Sequence, residues 1–178
     1  TGKKMTSDWN SLIMAKMSPQ TQHALSISGG TEKIQYYISF GYLYQEGFFK
    51  SRDLWYDKYN LRSNVTAEII KGMKFNLNLS GLIDKRHTPY SSSVDIIRNY
   101  WSQGVVNPAF ADPDRTMLNY AGLDLQKNTV AMMTSDVSGY NLYNQKYFQS
   151  SASLEYDFGT ITDVLKGLSA KALFGYDF

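Results

Sequence analysis

The sequence predicts an all-β protein, in which about six antiparallel, up-and-down strands form a segment of a larger transmembrane β-barrel. Three observations lead to this prediction. Apolar and polar residues alternate over long stretches, these stretches exceed most globular strands in length, and short connections alternate with long ones. Alternation with a period of two places successive side chains on opposite faces of a sheet. One apolar and one polar face are what a barrel wall between lipid and a hydrated interior requires.

The alternating stretches are long and are separated by turn residues. Residues 34–44 and 73–83 are each about twice the roughly 5–6 residues of an average globular strand. They match the roughly 9–11 residues with which a tilted strand crosses a bilayer. The six predicted strands cover residues 23–28, 34–44, 56–68, 73–83, 146–158 and 168–178.

The two faces of the predicted strands differ in chemistry. Tyr and Phe lie near the ends of the apolar faces, at Tyr42, Tyr44, Tyr156 and Phe158, where aromatic side chains favour the membrane interface. The polar faces would line a hydrated passage. The residues predicted to face that interior are Asn76, Asn78, Gln149, Glu155 and Lys171.

The connections predict two different rims. Residues 29–33, 69–72 and 159–167 are short, whereas residues 45–55 and 84–145 are longer. Because successive connections lie at opposite ends of an up-and-down barrel, the long ones share one rim, which outer-membrane barrels direct outwards. The predicted domain organisation is a lead-in at residues 1–20, followed by a partial barrel at residues 21–178.

Two short helices are predicted outside the strands. Ser7 and Asp8 are candidate caps for a helix that runs from Trp9 to Met14. A second helical pattern covers residues 94–101, inside the long extracellular loop, and turn residues follow it at 107–108 and 112–115.

Composition excludes several classes of function. The net charge is +2, with 18 basic and 16 acidic residues and no dense basic cluster, so no nucleic-acid partner is expected. No apolar run reaches the roughly 18–20 residues of a transmembrane helix. There is no cysteine, and His23 and His87 lie far apart without acidic neighbours at ligand spacing. Asp112 and Asp114 are better explained by a solvated turn than by a calcium loop. We therefore expect no enzyme, no cofactor and no metal site.

The long loop carries the candidate binding residues. Aromatic rings can stack on the apolar C–H faces of sugars, which makes Tyr90, Tyr100, Trp101 and Tyr120 candidates for substrate contact. Tyr100 and Trp101 also continue the apolar spacing of the helix at residues 94–101. For these two we favour a structural role, in which they anchor the helix on the rim or on a partner protein.

Six strands do not close a barrel. The outer strands leave two open edges, and each unpaired N–H or C=O group in hydrocarbon costs several kcal/mol. We therefore expect the chain to be a fragment of a larger barrel.

Several motifs resemble one family of membrane proteins. They are LSISGGTEK at residues 25–33 followed by GYLYQEG at 41–47, then YNLRSN at 59–64 and GMKFNLNLSG at 72–81, with KGLSAKALFGYD at 166–177. In this order and spacing they resemble SusC/RagA-type TonB-dependent outer-membrane transporters of Bacteroidetes. The Asp8-Trp9 pair is similar to one in that family's link between plug and barrel.

The resemblance implies a 22-stranded, plugged barrel in the outer membrane, in which residues 1–20 form the plug-to-barrel linker. It also implies partners: a SusD-like surface lipoprotein, the TonB protein acting through an N-terminal plug region, outer-membrane lipid, and an imported oligosaccharide or peptide. Two alternatives remain open at this point. One is a soluble or surface carbohydrate-binding β-domain with an aromatic core, and the other is a passive, porin-like channel.

Overall fold

The computed structural model describes residues 7–104, 107–120 and 128–178. Six strands form one sheet in the order β1-β2-β3-β4-β5-β6, so each strand pairs with its neighbours along the chain. This arrangement confirms the predicted antiparallel, up-and-down topology. The strands are β1 Gln20–Gly30, β2 Ile34–Glu46, β3 Trp55–Ile70, β4 Met73–Pro89, β5 Tyr140–Asp157 and β6 Ser169–Asp177.

Helices occupy the lead-in and the long loop. No helix in the described ranges is both long enough and apolar enough to cross a membrane. Two 3-10 turns, Phe158–Thr160 and Asp163–Leu165, shape the connection between β5 and β6. The helices are α1 Trp9–Ile13, α2 Ser93–Ser102, α3 Thr129–Met133 and α4 Ser135–Ser138.

Strands β1 to β5 all extend beyond their predicted bounds, and β4 and β5 extend the furthest. Strand β4 continues to Pro89 rather than ending at residue 83, and β5 begins at Tyr140 rather than at residue 146. The long loop therefore covers residues 90–139. Residues 84–88 are charged or polar and do not alternate. These residues belong to β4 because the strand pairs with its neighbours. Backbone pairing of strands does not require an apolar face.

The polar face of the sheet is cross-linked by side chains. Thr66 Oγ1 donates a hydrogen bond to Asn76 Oδ1 at 2.9 Å. Asn76 Nδ2 in turn donates to Ser153 Oγ at 3.3 Å, and Asn78 Nδ2 donates to Ser151 Oγ at 3.3 Å. These bonds place the same face of β3, β4 and β5 together, as the alternation predicts.

The register of β5 and β6 separates the two faces in the same way. Glu155 lies opposite Lys171, and the two charged groups are 3.9 Å apart. On the other face, Ala152 lies opposite Phe174. The five residues predicted to face the interior therefore lie on the polar side of their strands.

The apolar face of the sheet has no cover among the described residues. In β1, a Cβ atom on Gly29 would lie 2.7 Å from the Tyr36 hydroxyl, which places Gly29 and Tyr36 on one face. Ile27 belongs to the same alternating set and is 55% exposed, and Phe174 in β6 is 68% exposed. No second sheet packs on these rows in the described part of the chain. The fold is thus a single open sheet and not a sandwich with an aromatic core.

The chain divides into two compact units, which are given names here. The loop unit comprises Thr1–Gln20, Tyr44–Tyr56 and Lys85–Tyr143. The sheet unit comprises Thr21–Leu43, Asp57–Asp84 and Asn144–Phe178.

The loop unit has its own hydrophobic core. Helix α1, the β2–β3 connection and the long loop all contribute to it, although they are distant in sequence. Complete burial of one such side chain stabilises the folded state by about 1.5–3 kcal/mol. The cluster consists of Trp9, Ile13, Phe49, Ile96, Ala109, Met132 and Met133.

Candidate functional site

Helix α2 presents two aromatic residues at the end of a well-capped helix. Asp95 N donates to Ser92 Oγ at 3.1 Å, and Ser92 Oγ donates to the Asp95 carboxylate at 2.6 Å. This cap fixes the first turn. Ile96 is fully buried and holds the helix on the core. Trp101 therefore projects from an anchored helix, whereas Tyr100 packs against the core.

Helix α1 is fixed to the long loop. Asp8 caps α1 by accepting a hydrogen bond from Ser11 N at 3.2 Å, as the sequence predicts for this position. Trp9 Nε1 donates to the Asn107 carbonyl oxygen at 3.1 Å, and Ala109 N donates to Ser7 Oγ at 2.8 Å. The lead-in thus packs with the long loop. Its predicted role as a plug-to-barrel linker stays a prediction.

The β2–β3 connection holds the other side of the long loop. Ser51 Oγ donates to the Met133 carbonyl oxygen at 2.7 Å, and Ser135 N donates to Asp53 Oδ2 at 2.8 Å. The His87 ring stacks on Trp55 with centroids 5.4 Å apart. The ends of the strands and the two short helices α3 and α4 are therefore joined by polar and aromatic contacts.

A buried asparagine organises the centre of the long loop. Asn128 is fully buried. Its Nδ2 donates to the carbonyl oxygens of Ala109 at 2.7 Å and of Asn119 at 3.1 Å. Its Oδ1 accepts from Val130 N at 3.0 Å and Ala131 N at 3.4 Å, which caps helix α3. Sequence reasoning missed this residue, although an Asn just before Thr129–Met133 is a favourable capping position.

Six residues line a groove of about 540 Å³ on the loop unit, named the aromatic groove here. Tyr100 packs against the core, and its hydroxyl donates to Asn10 Oδ1 at 3.4 Å. Trp101 is 79% exposed. The lining residues are Ser7, Asp8, Trp9, Tyr100, Trp101 and Gln103. An exposed indole ring beside amide, hydroxyl and carboxylate groups suits a ligand with both apolar and hydrogen-bonding parts, such as a sugar or a peptide.

The structure brings together two of the four predicted site residues. Tyr100 has the anchoring role expected from its helical spacing, whereas Trp101 points to solvent. Tyr90 and Tyr120 are 68% and 56% exposed, and neither lines the aromatic groove among the described residues.

Asp112 forms a tight turn. Its carboxylate accepts hydrogen bonds from Thr116 N at 3.0 Å, Thr116 Oγ1 at 2.7 Å and Met117 N at 2.7 Å. The bonds from Thr116 and then Met117 lower the pKa of Asp112 below its ordinary value. In the described ranges no group of three or more His, Cys, Asp or Glu side chains could hold a metal ion.

The two histidines take part in aromatic contacts. His23 stacks on Tyr42 with ring centroids 6.2 Å apart. His87 also stacks on Tyr140 at 4.8 Å, and its Nδ1 lies 2.6 Å from the Asp53 carbonyl oxygen. Both histidine rings therefore pack against aromatic side chains of the strands.

Comparison with known proteins finds likeness at the level of structure. No protein-family model matches the sequence, and no curated protein matches it. A solved structure, described as the RagAB peptide importer in its "closed-closed" state, matches with a TM-score of 0.63 and 23% sequence identity. The match covers 97% of this chain and 19% of that one, so the chain spans about one fifth of that protein's chain. At this identity the likeness establishes the fold.

Proposed function

We propose that this chain is part of a SusC/RagA-type, TonB-dependent transporter in the outer membrane of a Gram-negative bacterium. In this role the sheet forms part of a 22-stranded barrel wall, and the loop unit forms part of its outer rim. The chain performs no chemical step itself. The observation on which the proposal rests is a single sheet of long, up-and-down strands with an uncovered apolar face and a hydrogen-bonded polar face.

The two faces support an orientation for the wall. The apolar rows, with residues such as Ile27 and Phe174, would meet lipid, since transfer of such side chains from water is favourable. The polar row, linked through Asn76 and Asn78, would face a hydrated interior. The edges of the sheet would pair with further strands, because open edges are not tolerated in hydrocarbon.

The rim supports a role in capturing cargo together with a surface lipoprotein. The structural neighbour is a peptide importer, and the sequence resemblance also includes oligosaccharide importers. The aromatic groove, with Trp101 exposed on an anchored helix, fits a cargo of either class. A SusD-like lipoprotein would bind to the same rim. TonB would supply energy through a plug region of the whole protein.

A passive channel is the second candidate, because its strands would have the same two faces. The two can be separated by uptake measurements on cells that carry the full-length protein. Labelled peptides and oligosaccharides are supplied with TonB present or deleted. The transporter proposal expects uptake to stop without TonB, whereas uptake that continues would indicate a passive channel. Protein that is recovered in the aqueous phase without detergent would contradict both and favour a soluble binding domain.

A further inference from the structure

A second groove, of about 530 Å³, lies between the end of α1 and the β2–β3 connection. Its walls are fixed by backbone hydrogen bonds. Ala15 N donates to the Phe48 carbonyl oxygen at 2.8 Å, and Lys50 N donates to the Ile13 carbonyl oxygen at 2.9 Å. Lys50 Nζ also donates to the Ser11 carbonyl oxygen at 2.8 Å. Hydrogen bonds therefore hold the walls of this groove in place within the loop unit.

The charge on this groove is entirely positive. Lys16, Lys50 and Arg52 line it, and no acidic residue does so within the described ranges. Arg52 lies 3.8 Å from Glu46, but the Arg52 side chain is 77% exposed, so solvent weakens this pair. Neither Lys16 nor Lys50 has an acidic partner in the described part of the chain. We name this surface the basic groove.

Apolar side chains lie beside these cations. Met14, Ala15, Met17 and Pro19 form the rest of the wall together with two small polar residues. Met17 is 80% exposed. An exposed, flexible thioether next to three cations suits a ligand that carries both an anionic group and an alkyl chain.

A tight turn fixes the backbone of Arg52 at the groove. Arg52 has a φ of +61°, in the left-handed region that favours glycine. Its N–H donates to the Phe49 carbonyl oxygen at 3.1 Å, which keeps the turn in this form.

We propose that the basic groove binds a phosphorylated lipid of the outer membrane, with its phosphate at Lys16, Lys50 and Arg52 and its acyl chain along Met14 and Met17. Lysine and arginine residues near a membrane surface attract anionic head groups in this way. The inference rests on the proposed outer-membrane location. It goes beyond that location by naming the ligand class and its contacts.

The test uses the full-length protein in detergent and the phosphorylated lipid A as the probe, with binding measured by native mass spectrometry. The variant Lys16→Gln/Lys50→Gln removes two cations from the basic groove. The matched control, Arg98→Gln/Arg115→Gln, removes the same charge from exposed positions of the long loop that do not line the groove. We expect about 30-fold weaker binding in the groove variant and an unchanged affinity in the control. The variant Lys16→Arg/Lys50→Arg should keep the affinity.

Three outcomes would overturn the proposal. Equal losses in the groove variant and the control would indicate general charge attraction. Undiminished binding in the groove variant, with the protein correctly inserted, would exclude the site. Displacement of lipid A by millimolar inorganic phosphate, with no binding preference over phosphate, would indicate a site for the anion alone. A failure of the proposed function would look different, because the protein would then be recovered without detergent.

Discussion

The Trp9 indole nitrogen donates a hydrogen bond to the carbonyl oxygen of Asn107 across 3.1 Å, although 98 positions separate the two residues. This bond connects the lead-in helix to the middle of the long loop. Trp9 is also a member of the buried cluster, at 6% exposure. The loop unit is therefore a folded structure whose stability can be measured.

Replacement of Trp9 by Phe tests this connection. The change keeps an aromatic ring in the core but leaves the Asn107 carbonyl without its donor. We expect the loop unit to lose about 1–3 kcal/mol of unfolding free energy. Hydrogen exchange of the backbone amides in α1 and α2 would measure it. The control is Trp101→Phe, at an exposed ring, where protection should stay within about 0.5 kcal/mol. An equal loss of amide protection in the Trp9→Phe and Trp101→Phe variants would contradict the packing described for Trp9.

Asn128→Ala is expected to be more damaging than substitution of an exposed asparagine elsewhere in the loop unit. It would remove the bonds that Asn128 Nδ2 donates to the Ala109 and Asn119 carbonyl oxygens and the side-chain acceptor of the first N–H groups of α3, at a cost of about 2–4 kcal/mol. Limited proteolysis of the long loop gives the readout. Asn141→Ala is the matched control, because its exposed Nδ2 makes one hydrogen bond, to the Tyr90 carbonyl oxygen. Similar cleavage rates for both variants would refute the central role of Asn128.

The Asp112 turn should open at acidic pH. The pKa of the Asp112 carboxyl is lower in the folded chain than in the unfolded chain, where it is near 3.8. The contribution of this group to stability is therefore fully present above that value and is lost as the pH falls through the lower, folded pKa. We expect the Thr116 and Met117 amides to stay protected at neutral pH and to lose protection only below about pH 4. Asp112→Asn should remove this pH dependence.

The two faces of β1 should respond differently to a positive charge. Leu25→Arg places a charge at the centre of β1, on the face proposed to meet lipid, at a cost of about 2–4 kcal/mol near the middle of the bilayer. Ser26→Arg places it on the opposite face and should be tolerated. The amount of heat-modifiable, folded full-length protein in the outer membrane provides the measurement. If both variants assemble equally well, the proposed orientation of the sheet is wrong.

Trp101 is the exposed aromatic residue of the aromatic groove, at 79% exposure. Trp101→Ala should weaken binding of a peptide or oligosaccharide by about 3- to 10-fold, as expected for the loss of one ring contact. Because this side chain is exposed, stability should not change. Tyr90→Ala, at a similarly exposed ring outside the groove, is the comparison, and calorimetry on the full-length protein would give the affinities. An equal loss at Tyr90 would mean that the groove is not the binding site.

Much of the sheet could be predicted from the sequence, because alternation reports directly on the two faces of a strand. The stretch around Asn76 and Asn78 is an example, since its polar row makes the cross-strand bonds that the pattern indicates. Helix α2 was predictable from its apolar spacing. The extension of β4 to Pro89 was not, because a paired but polar strand end has no periodic signal.

The hydrophobic core of the loop unit could not be predicted from local sequence patterns. Its members Ile13, Phe49 and Met132 come from three separate segments, and each of them lies in an unremarkable stretch. Helices α3 and α4 contain five and four residues, too few to display a helical period. Contacts between residues distant in sequence stabilise the long loop, and local patterns do not report such contacts.

The shared core of these three segments limits how such a rim can be engineered. A chimera that exchanged only residues 90–139 with a homologue would place foreign side chains against Trp9, Ile13 and Phe49 and leave gaps between them. Residues 7–19 and 47–54 would have to be transplanted together with the loop. Changes in cargo preference should therefore arise by exchange of the whole set, or by surface substitutions that leave its interior intact.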